Sequence, residues 1–462
     1  MKHILDSVHG NIQVEDKFFQ IIDTPEFQRL RRIEQTSIRS VFPSARHDRF
    51  IHSLGVYHIG SLIIKHLESV SDSEQLEWNV NAKEDLPLIF NSYLIACLLH
   101  DVGHAPFSHT FENYYGSKKE LSDKLNNLIS SQGFSEDIKN KFDDASPHEY
   151  VSAYVAYKIF GEIITKLGGC PEYVVRMIIG CFYGNKNEGD NQFRNCLISL
   201  LHGDLVDADR LDYACRDIWA SGYSTSTIDL NRLINALHIR KNSEDDLVVC
   251  FYSNVVNEIE NLMTIKDFQV KFVINHHTVT YDQWLLQQAV SHTANVLCHG
   301  NNSEDDKVSS MKKLCSIDSI VRLDTIIGDY KLYNPSDDDF IALMKQDETN
   351  ELFKEWISRQ YKYIPVWKSP EEFADFFGVK RGESIRNAAF EDTVKAELSE
   401  IGITNRDLII LKVTFKPKVK LSSLYIYIHN KVRRFTDIYK DKNEILTAQE
   451  FYYLYINKDC VK

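Results

Sequence analysis

Apolar and polar residues alternate over residues 4–14 and turn at His9-Gly10-Asn11, which predicts a short extended segment at the N-terminus. Thr24-Pro25-Glu26 then reads as a helix start, because Thr suits the N-cap and Pro the first helical position. Phe27, Leu30 and Ile33 continue that helix at three-residue spacing. Further helices are predicted over about residues 53–68 and 86–100. Residues 116–147 are polar, punctuated by Gly133 and Pro147, and read as an insertion with one or two modest helices.

From residue 148 to about 297 the apolar positions recur at three- and four-residue intervals, so the whole stretch is read as helical, with polar loops at 184–191 and 299–310. The character changes near Asn334-Pro335-Ser336. A helical piece over 337–361 is followed by runs rich in Ile, Val, Tyr and Phe at 408–415 and 424–428, which read as strands. The predicted fold is mainly α: a helical core over residues 1–330 and an α+β C-terminal region over 331–462. The segment 412–420, with Lys416 and Lys418 around Pro417, reads as a charged edge strand or a partner contact.

Composition narrows the class. A hydrophobic share of 43% with 26% charged residues is the balance of a water-soluble globular chain. The longest apolar run, near residues 94–99, is far short of the roughly 20 residues a membrane helix needs. The N-terminus shows no apolar signal region, and the nine cysteines stand singly, as in a reducing, cytoplasmic setting. A net charge of −13 argues against broad nucleic-acid binding, while leaving room for a local basic pocket.

Chemistry concentrates in RFIHSLGV (49–56), HDVGHAPFSH (100–109), His148-Glu149 and DLVDADRLDYACRD (204–217). A His-Asp pair alone is weak, since 17 histidines make about one such pair by chance, and two occur. His47-Asp48 follows Pro43-Ser44-Ala45 and reads as a loop coincidence. His100-Asp101 ends an apolar run, where burial costs several kcal/mol unless a partner compensates. A divalent cation is one such partner; a backbone carbonyl bonding a lone buried histidine is the plainer alternative. His104 follows His100 by four residues, on the same face if the helix persists past Gly103, and His109 has Glu112 three residues on to orient it. Asp209, Asp212, Tyr213 and Arg216 form one polar stripe, which would equally suit a solvated helix face. Two imidazoles with two carboxylates suit Mn, Fe, Co, Ni, Zn or Mg without choosing among them. A bound dication acidifies its water and steadies charge on a phosphoryl oxygen, the chemistry of phosphate-ester hydrolysis.

These segments, with DSVHGNIQ (6–13), IIDTPEFQRLRRIEQ (21–35) and VFPSARHDRFIHSLGV (41–56), resemble the HD-domain deoxynucleoside triphosphate triphosphohydrolases, a family of bacterial dGTPases and vertebrate enzymes with a SAM domain before the HD domain. The likeness covers about residues 1–330, and no SAM-like segment precedes it in this sequence. The resemblance implies an HD-domain helical core and hydrolysis of a deoxynucleotide, dGTP among them, to deoxynucleoside and inorganic triphosphate. It makes His52, His100, Asp101 and Asp209 the metal ligands, Arg49 an α-phosphate contact, and His104 and His148 phosphate holders. His109 becomes the general acid, with Glu112 where the family has Asp, and Glu112 is expected to keep His109 protonated near neutral pH. Arg210 stands at a phosphate-binding Lys position. Gln35, Tyr213 and Asp217 match sugar contacts, and Tyr281 aligns loosely with another. Asp23, Gln28 and Arg31 match a site for an activating guanine nucleotide in homo-oligomeric vertebrate members; helix capping and surface charge would explain them as simply. The competing functions are an HD nucleotidase or phosphodiesterase, and a nucleotide-sensing or nucleic-acid-binding protein with a vestigial site.

Overall fold

A computed structural model of the 462-residue chain describes all residues except 74–84, 142–144, 205, 224–227, 302, 319–323, 378–394, 397, 401, 416–422, 440–448 and 462. The alternating N-terminal segment is an antiparallel hairpin of β1 (Lys2–Asp6) and β2 (Gly10–Val14), with Ile12 and Val14 turned into the core. Its turn falls at residues 7–9, slightly ahead of the expected position, and Gly10 takes the positive φ of 71° that resumes the strand. Thr24 caps its helix as expected by accepting from the Phe27 amide, but the α-helix is one turn, Pro25–Gln28, before it tightens into a 3₁₀ turn, Arg29–Arg32.

Six helices frame the site: α1 (Arg49–Ser73), α2 (Leu86–Leu99), α3 (Pro147–Lys166), α4 (Ala208–Ser221), α5 (His277–Leu297) and α6 (Asp337–Gln346). Ten of the fourteen residues of α2 are buried, so this helix is central and everything that follows Leu99 emerges inside the protein. Its burial is the main local driving force, at about 1.5–3 kcal/mol for each large apolar side chain. Close approach of α1 to α4 depends on Gly55, where an added Cβ would stand 1.9 Å from Asp212 Oδ1. The core expectation of consecutive helices therefore holds for the parts that carry the ligands.

It fails over 237–252. Residues read as helical form β3 (Leu237–Lys241) and β4 (Leu247–Tyr252), an antiparallel pair whose turn includes Asp245 at φ 64°. LHIRK and LVVCFY are short and rich in branched and aromatic residues, and here the sheet partner outweighs helical spacing. That partner is distant: β9 (Tyr425–Ile428) lies parallel to β4, and β10 (Lys431–Arg434) completes the order β10-β9-β4-β3. A two-stranded pair, β5 (Asp324–Ile327) with β6 (Tyr330–Tyr333), precedes α6. The predicted strand at 408–415 is β8 (Leu408–Phe415), which pairs with β11 (Gln449–Asn457) beside β7 (Tyr363–Pro365). The predicted helical piece at 337–361 is α6 plus a second helix, Glu351–Ser358. The architecture is mainly α with an α+β C-terminal part. Lys416, Pro417 and Lys418 lie outside the described residues. Among those described, no helix is long and apolar enough to cross a membrane.

Candidate metal and phosphate site

The first turn of α1 places His52, and the end of α2 delivers His100 and Asp101 to the same point from the other side. Asp209, in the first turn of α4, closes the group. His52 Nε2 lies 3.2 Å from His100 Nε2, 3.6 Å from Asp101 Oδ2 and 3.1 Å from Asp209 Oδ1. His100 Nε2 is 3.5 Å from Asp101 Oδ2 and 3.7 Å from Asp209 Oδ1. Donors bound to one ion at about 2.0–2.2 Å stand roughly 3.0–3.6 Å apart, so this donor set fits a single divalent cation. His52 is 1% exposed, and two imidazole nitrogens facing each other at this depth call for a positive centre between them.

The groups behind these ligands fix which nitrogen faces inward. His100 Nδ1 donates to the Cys97 carbonyl at 2.9 Å, leaving Nε2 for the site. His52 Nδ1 is 2.7 Å from Asp212 Oδ2, and Asp212 Oδ1 takes His9 Nε2 at 2.6 Å. Arg216 donates to both oxygens of Asp212 and to Asp6, so a buried network of two acids, an arginine and two histidines runs from the hairpin turn to His52. Burial opposes charge on His52, yet the bonds to Asp209 and Asp212 push its pKa up to about 10. Asp212 loses hydration too, but Arg216 and the two histidines hold its carboxyl well below the ordinary range. Of the polar stripe, Asp212 and Arg216 are buried while Asp209 and Tyr213 are partly exposed, and the only local signal for His9 is the Asp6–His9 spacing of a capped turn.

Beside the donors is a second cluster, His104, His109, Glu112 and His148. His104 does not share a helix face with His100, because α2 ends at Leu99 and the chain turns with the His104 amide donating to Asp101 O. Neither ring nitrogen of His104 makes a hydrogen bond among the described residues, although Nε2 lies 3.3 Å from Asp101 Oδ1. Such a buried polar ring with nothing to bond is the kind of group a phosphate oxygen would satisfy. Burial, Arg49 and His148 keep it neutral, with a pKa well below the ordinary imidazole value. Arg49 is fully buried; it pairs with Asp101 and donates from Nε to Ser108 Oγ at 2.8 Å.

Glu112 accepts from His109 Nδ1 at 2.5 Å and from His148 Nδ1 at 2.6 Å on a single oxygen. Burial would raise the Glu112 pKa, but the two histidines hold it far below the ordinary carboxylate range. The expectation that Glu112 keeps His109 protonated finds no support in the direction of its pKa, which is downward. Lost hydration among crowded neighbours, with Arg49 and His148 nearby, lowers the His109 pKa despite Glu112, while its ring stays 61% open to solvent. The Arg49 guanidinium faces His109 Nε2 at 3.3 Å, and a donor there favours the neutral ring. His148 goes the other way: burial opposes its charge, but Glu112 raises its pKa.

At the far end, Asp217 is buried and held by His47 Nε2 at 2.7 Å and by Gln269 Nε2 at 2.6 Å. The His47-Asp48 pair lies in a loop and outside the candidate metal donors, as expected, but His47 is held against Asp217 by a contact 170 residues long that no local pattern shows. Gln35 is buried, and its Oε1 has no hydrogen-bond partner among the described residues. Tyr213 is half-buried near Arg210, which is drawn to Asp207 at 2.7 Å. Tyr281 is not brought here. It is 2% exposed in a separate aromatic core, donating to Glu355 at 2.6 Å among Trp284, Tyr361 and Tyr455. Asp23 is at the surface, and Gln28 bonds Arg31 at 2.8 Å and the Ile22 carbonyl at 2.7 Å.

The HD domain family model matches residues 49–214. A Dictyostelium discoideum protein described as a deoxynucleoside triphosphate triphosphohydrolase SAMHD1 homolog is 29% identical over 315 residues, 66% of this chain and 52% of that one. Human deoxynucleoside triphosphate triphosphohydrolase SAMHD1 is 40% identical over 116 residues, 25% of this chain and 17% of that protein. An uncharacterized Methanocaldococcus jannaschii protein is 28% identical over 63% of this chain and 49% of its own. The chain spans about half the length of the Dictyostelium and Methanocaldococcus relatives, 52% and 49%, and less of the human one. A crystal structure of a hypothetical protein from Aquifex aeolicus shares the fold, with a TM-score of 0.61, 21% identity, and coverage of 99% of this chain and 97% of that one. The HD domain thus runs from the start of α1 into α4, and parts of the chain on and around it are similar to HD-domain, dNTPase-like proteins.

Proposed function

We propose that this chain is a metal-dependent phosphohydrolase that splits a deoxynucleoside triphosphate, dGTP among them, into deoxynucleoside and inorganic triphosphate. The observation that carries the reading is the convergence of His52, His100 and Asp209 within 3.1–3.7 Å, with Asp101 at 3.5–3.6 Å from the two imidazoles, next to a wall of Arg49, His104, His109 and His148. A divalent ion bound there supplies an acidified water and charge stabilisation at phosphorus; Mn, Fe, Mg, Co, Ni and Zn all suit the donors.

The protein groups account for the rest. Arg49 is buried and already aligned by Asp101 and Ser108, so it meets a phosphate without losing side-chain freedom. His104 offers the phosphate chain an unbonded ring, and His148 a ring whose pKa is raised, Glu112 outweighing burial. His109 is neutral before substrate arrives. A polyphosphate takes up the donors of Arg49 and brings negative charge, and both changes raise the His109 pKa. Its Nε2 then holds a proton for the departing 5′-oxygen while Nδ1 stays bonded to Glu112. Asp217, Tyr213 and Gln35 form the sugar end in this reading, and Arg210 contributes to phosphate only if it leaves Asp207. Homo-oligomer assembly and activation by a nucleotide at Asp23, Gln28 and Arg31 belong to the same proposal and rest on resemblance; a core–tail division near residue 330 and a cytoplasmic setting belong to it too and rest on the pattern of the chain and its single cysteines.

The test is incubation of purified protein with each dNTP and NTP, singly and mixed, across these metals, with chromatography of products. Deoxynucleoside plus triphosphate is expected. Release of monophosphate or orthophosphate would assign a nucleotidase or phosphodiesterase instead, and binding without turnover a sensor.

A further inference from the structure

The segment carrying His109 is bent sharply just before it. Phe107 and Ser108 both adopt left-handed backbone, φ 57° and 53°, a conformation that costs non-glycine residues of order 1 kcal/mol each. Two consecutive residues in that region do not hold themselves. The groups that hold them come from the far end of the chain. Asp337, at the first position of α6 and 5% exposed, accepts from the Phe107 amide at 2.6 Å through Oδ1 and from the Glu34 amide at 2.9 Å through Oδ2. Glu34 in turn accepts from the Ser108 hydroxyl with its carbonyl, and Ser108 Oγ receives Arg49 Nε at 2.8 Å. Next to it, the buried Arg29 donates to the carbonyls of Pro335, Val102 and His104. Ser336 caps α6 with a reciprocal Asp339 bond, which fixes the angle at which Asp337 enters.

We propose that Asp337 is a positioning residue for the reaction: with Arg29 it clasps the turn at residues 102–108, and so sets where Ser108 holds Arg49 and where His109 presents its ring. The inference rests on the phosphohydrolase reading for its kinetic consequence, but not for its structural one. Among the described residues, the hydrogen bonds of the Asp337 side chain go to neither the candidate ligand histidines nor the phosphate wall. Its two acceptor bonds are spent wholly on backbone donors of Glu34 and Phe107. A carboxylate pinned there by α6 makes the order of the catalytic turn depend on a C-terminal segment that packs more than 200 residues away in sequence.

The experiment compares wild type, Asp337→Ala and Asp337→Asn as full-length chains. Hydrogen exchange, metal content and steady-state turnover are measured for each. Asp337→Ala is expected to lose protection at the amides of Glu34 and Phe107 through Glu112, while α1 and α2 exchange as before and metal content is unchanged. Turnover kcat should fall roughly 10–100-fold, as for a misplaced reacting group, with KM moving only a few-fold. Asp337→Asn, which keeps one acceptor oxygen, should recover part of both the local protection and kcat. Unchanged protection at Phe107 would overturn the proposal. So would loss spread evenly over the chain, metal lost in step with kcat, or an Asn variant no better than Ala. If wild type turns over no nucleotide, the phosphohydrolase reading fails, and the exchange data alone decide whether Asp337 holds the turn.

Discussion

Asp212→Ala probes the buried network beneath the metal ligands. The carboxylate is fully buried and takes four donors: His52 Nδ1 at 2.7 Å, His9 Nε2 at 2.6 Å, and Arg216 Nε and Nη2 at 2.9 Å each. Removing one partner of a buried ion pair costs about 3–5 kcal/mol. Arg216 keeps Asp6 at 2.8 and 3.2 Å, so its charge is not orphaned, and a loss near 3 kcal/mol is expected. Urea unfolding of the metal-stripped protein measures it. The second consequence is at the site. With Nδ1 released, the His52 ring is free to turn, and metal affinity should fall about 10–100-fold. Competition with a chelator reads that separately from stability. The pH dependence has a fixed sign. Asp212 has a folded pKa held well below its unfolded value, so its stabilisation is present above the ordinary carboxylate range and lost as pH falls through and below it. The gap between wild type and variant should therefore be widest near neutrality and narrow below about pH 4. A loss under about 1 kcal/mol, typical of a surface pair, together with unchanged metal affinity would refute the reasoning.

His100→Ala should lose the metal, whereas His109→Ala should keep metal and nucleotide binding but lose most turnover; equal metal loss in both variants, read by elemental analysis, would remove the general-acid role. Gly103→Ala would set a Cβ 2.4 Å from the Ser152 amide nitrogen and 2.6 Å from the Val151 carbonyl carbon, backbone atoms that cannot swing away, so about 1–3 kcal/mol should be lost in thermal unfolding. An unchanged melting temperature would show that α3 and the turn after α2 separate more easily than their packing implies. If Tyr213 and Asp217 bound a deoxyribose, adding a 2′-hydroxyl should cost roughly 10–200-fold in kcat/KM; equal turnover of GTP and dGTP would contradict that placement.

The ligand-bearing elements were legible because each is specified locally. The apolar run ending at Leu99 dictates a central helix, and a His-Asp pair at its end has to be answered by something charged. Thr24 and Pro25 announce their helix by capping chemistry, and the strand at Leu408–Phe415 by its branched residues. Spacing could not show that 237–252 pairs with β9, because a strand is completed by a partner 175 residues on, and hydrophobic periodicity sees only neighbours. The same holds for His47 on Asp217, His9 on Asp212 and Asp337 on Phe107. Local sequence named the histidines and carboxylates able to bind a metal and phosphate. Which are buried, which nitrogen faces the site, and whether His109 carries a proton depend on Coulomb and desolvation effects from residues far away in the chain, and those are decided only when the chain is folded.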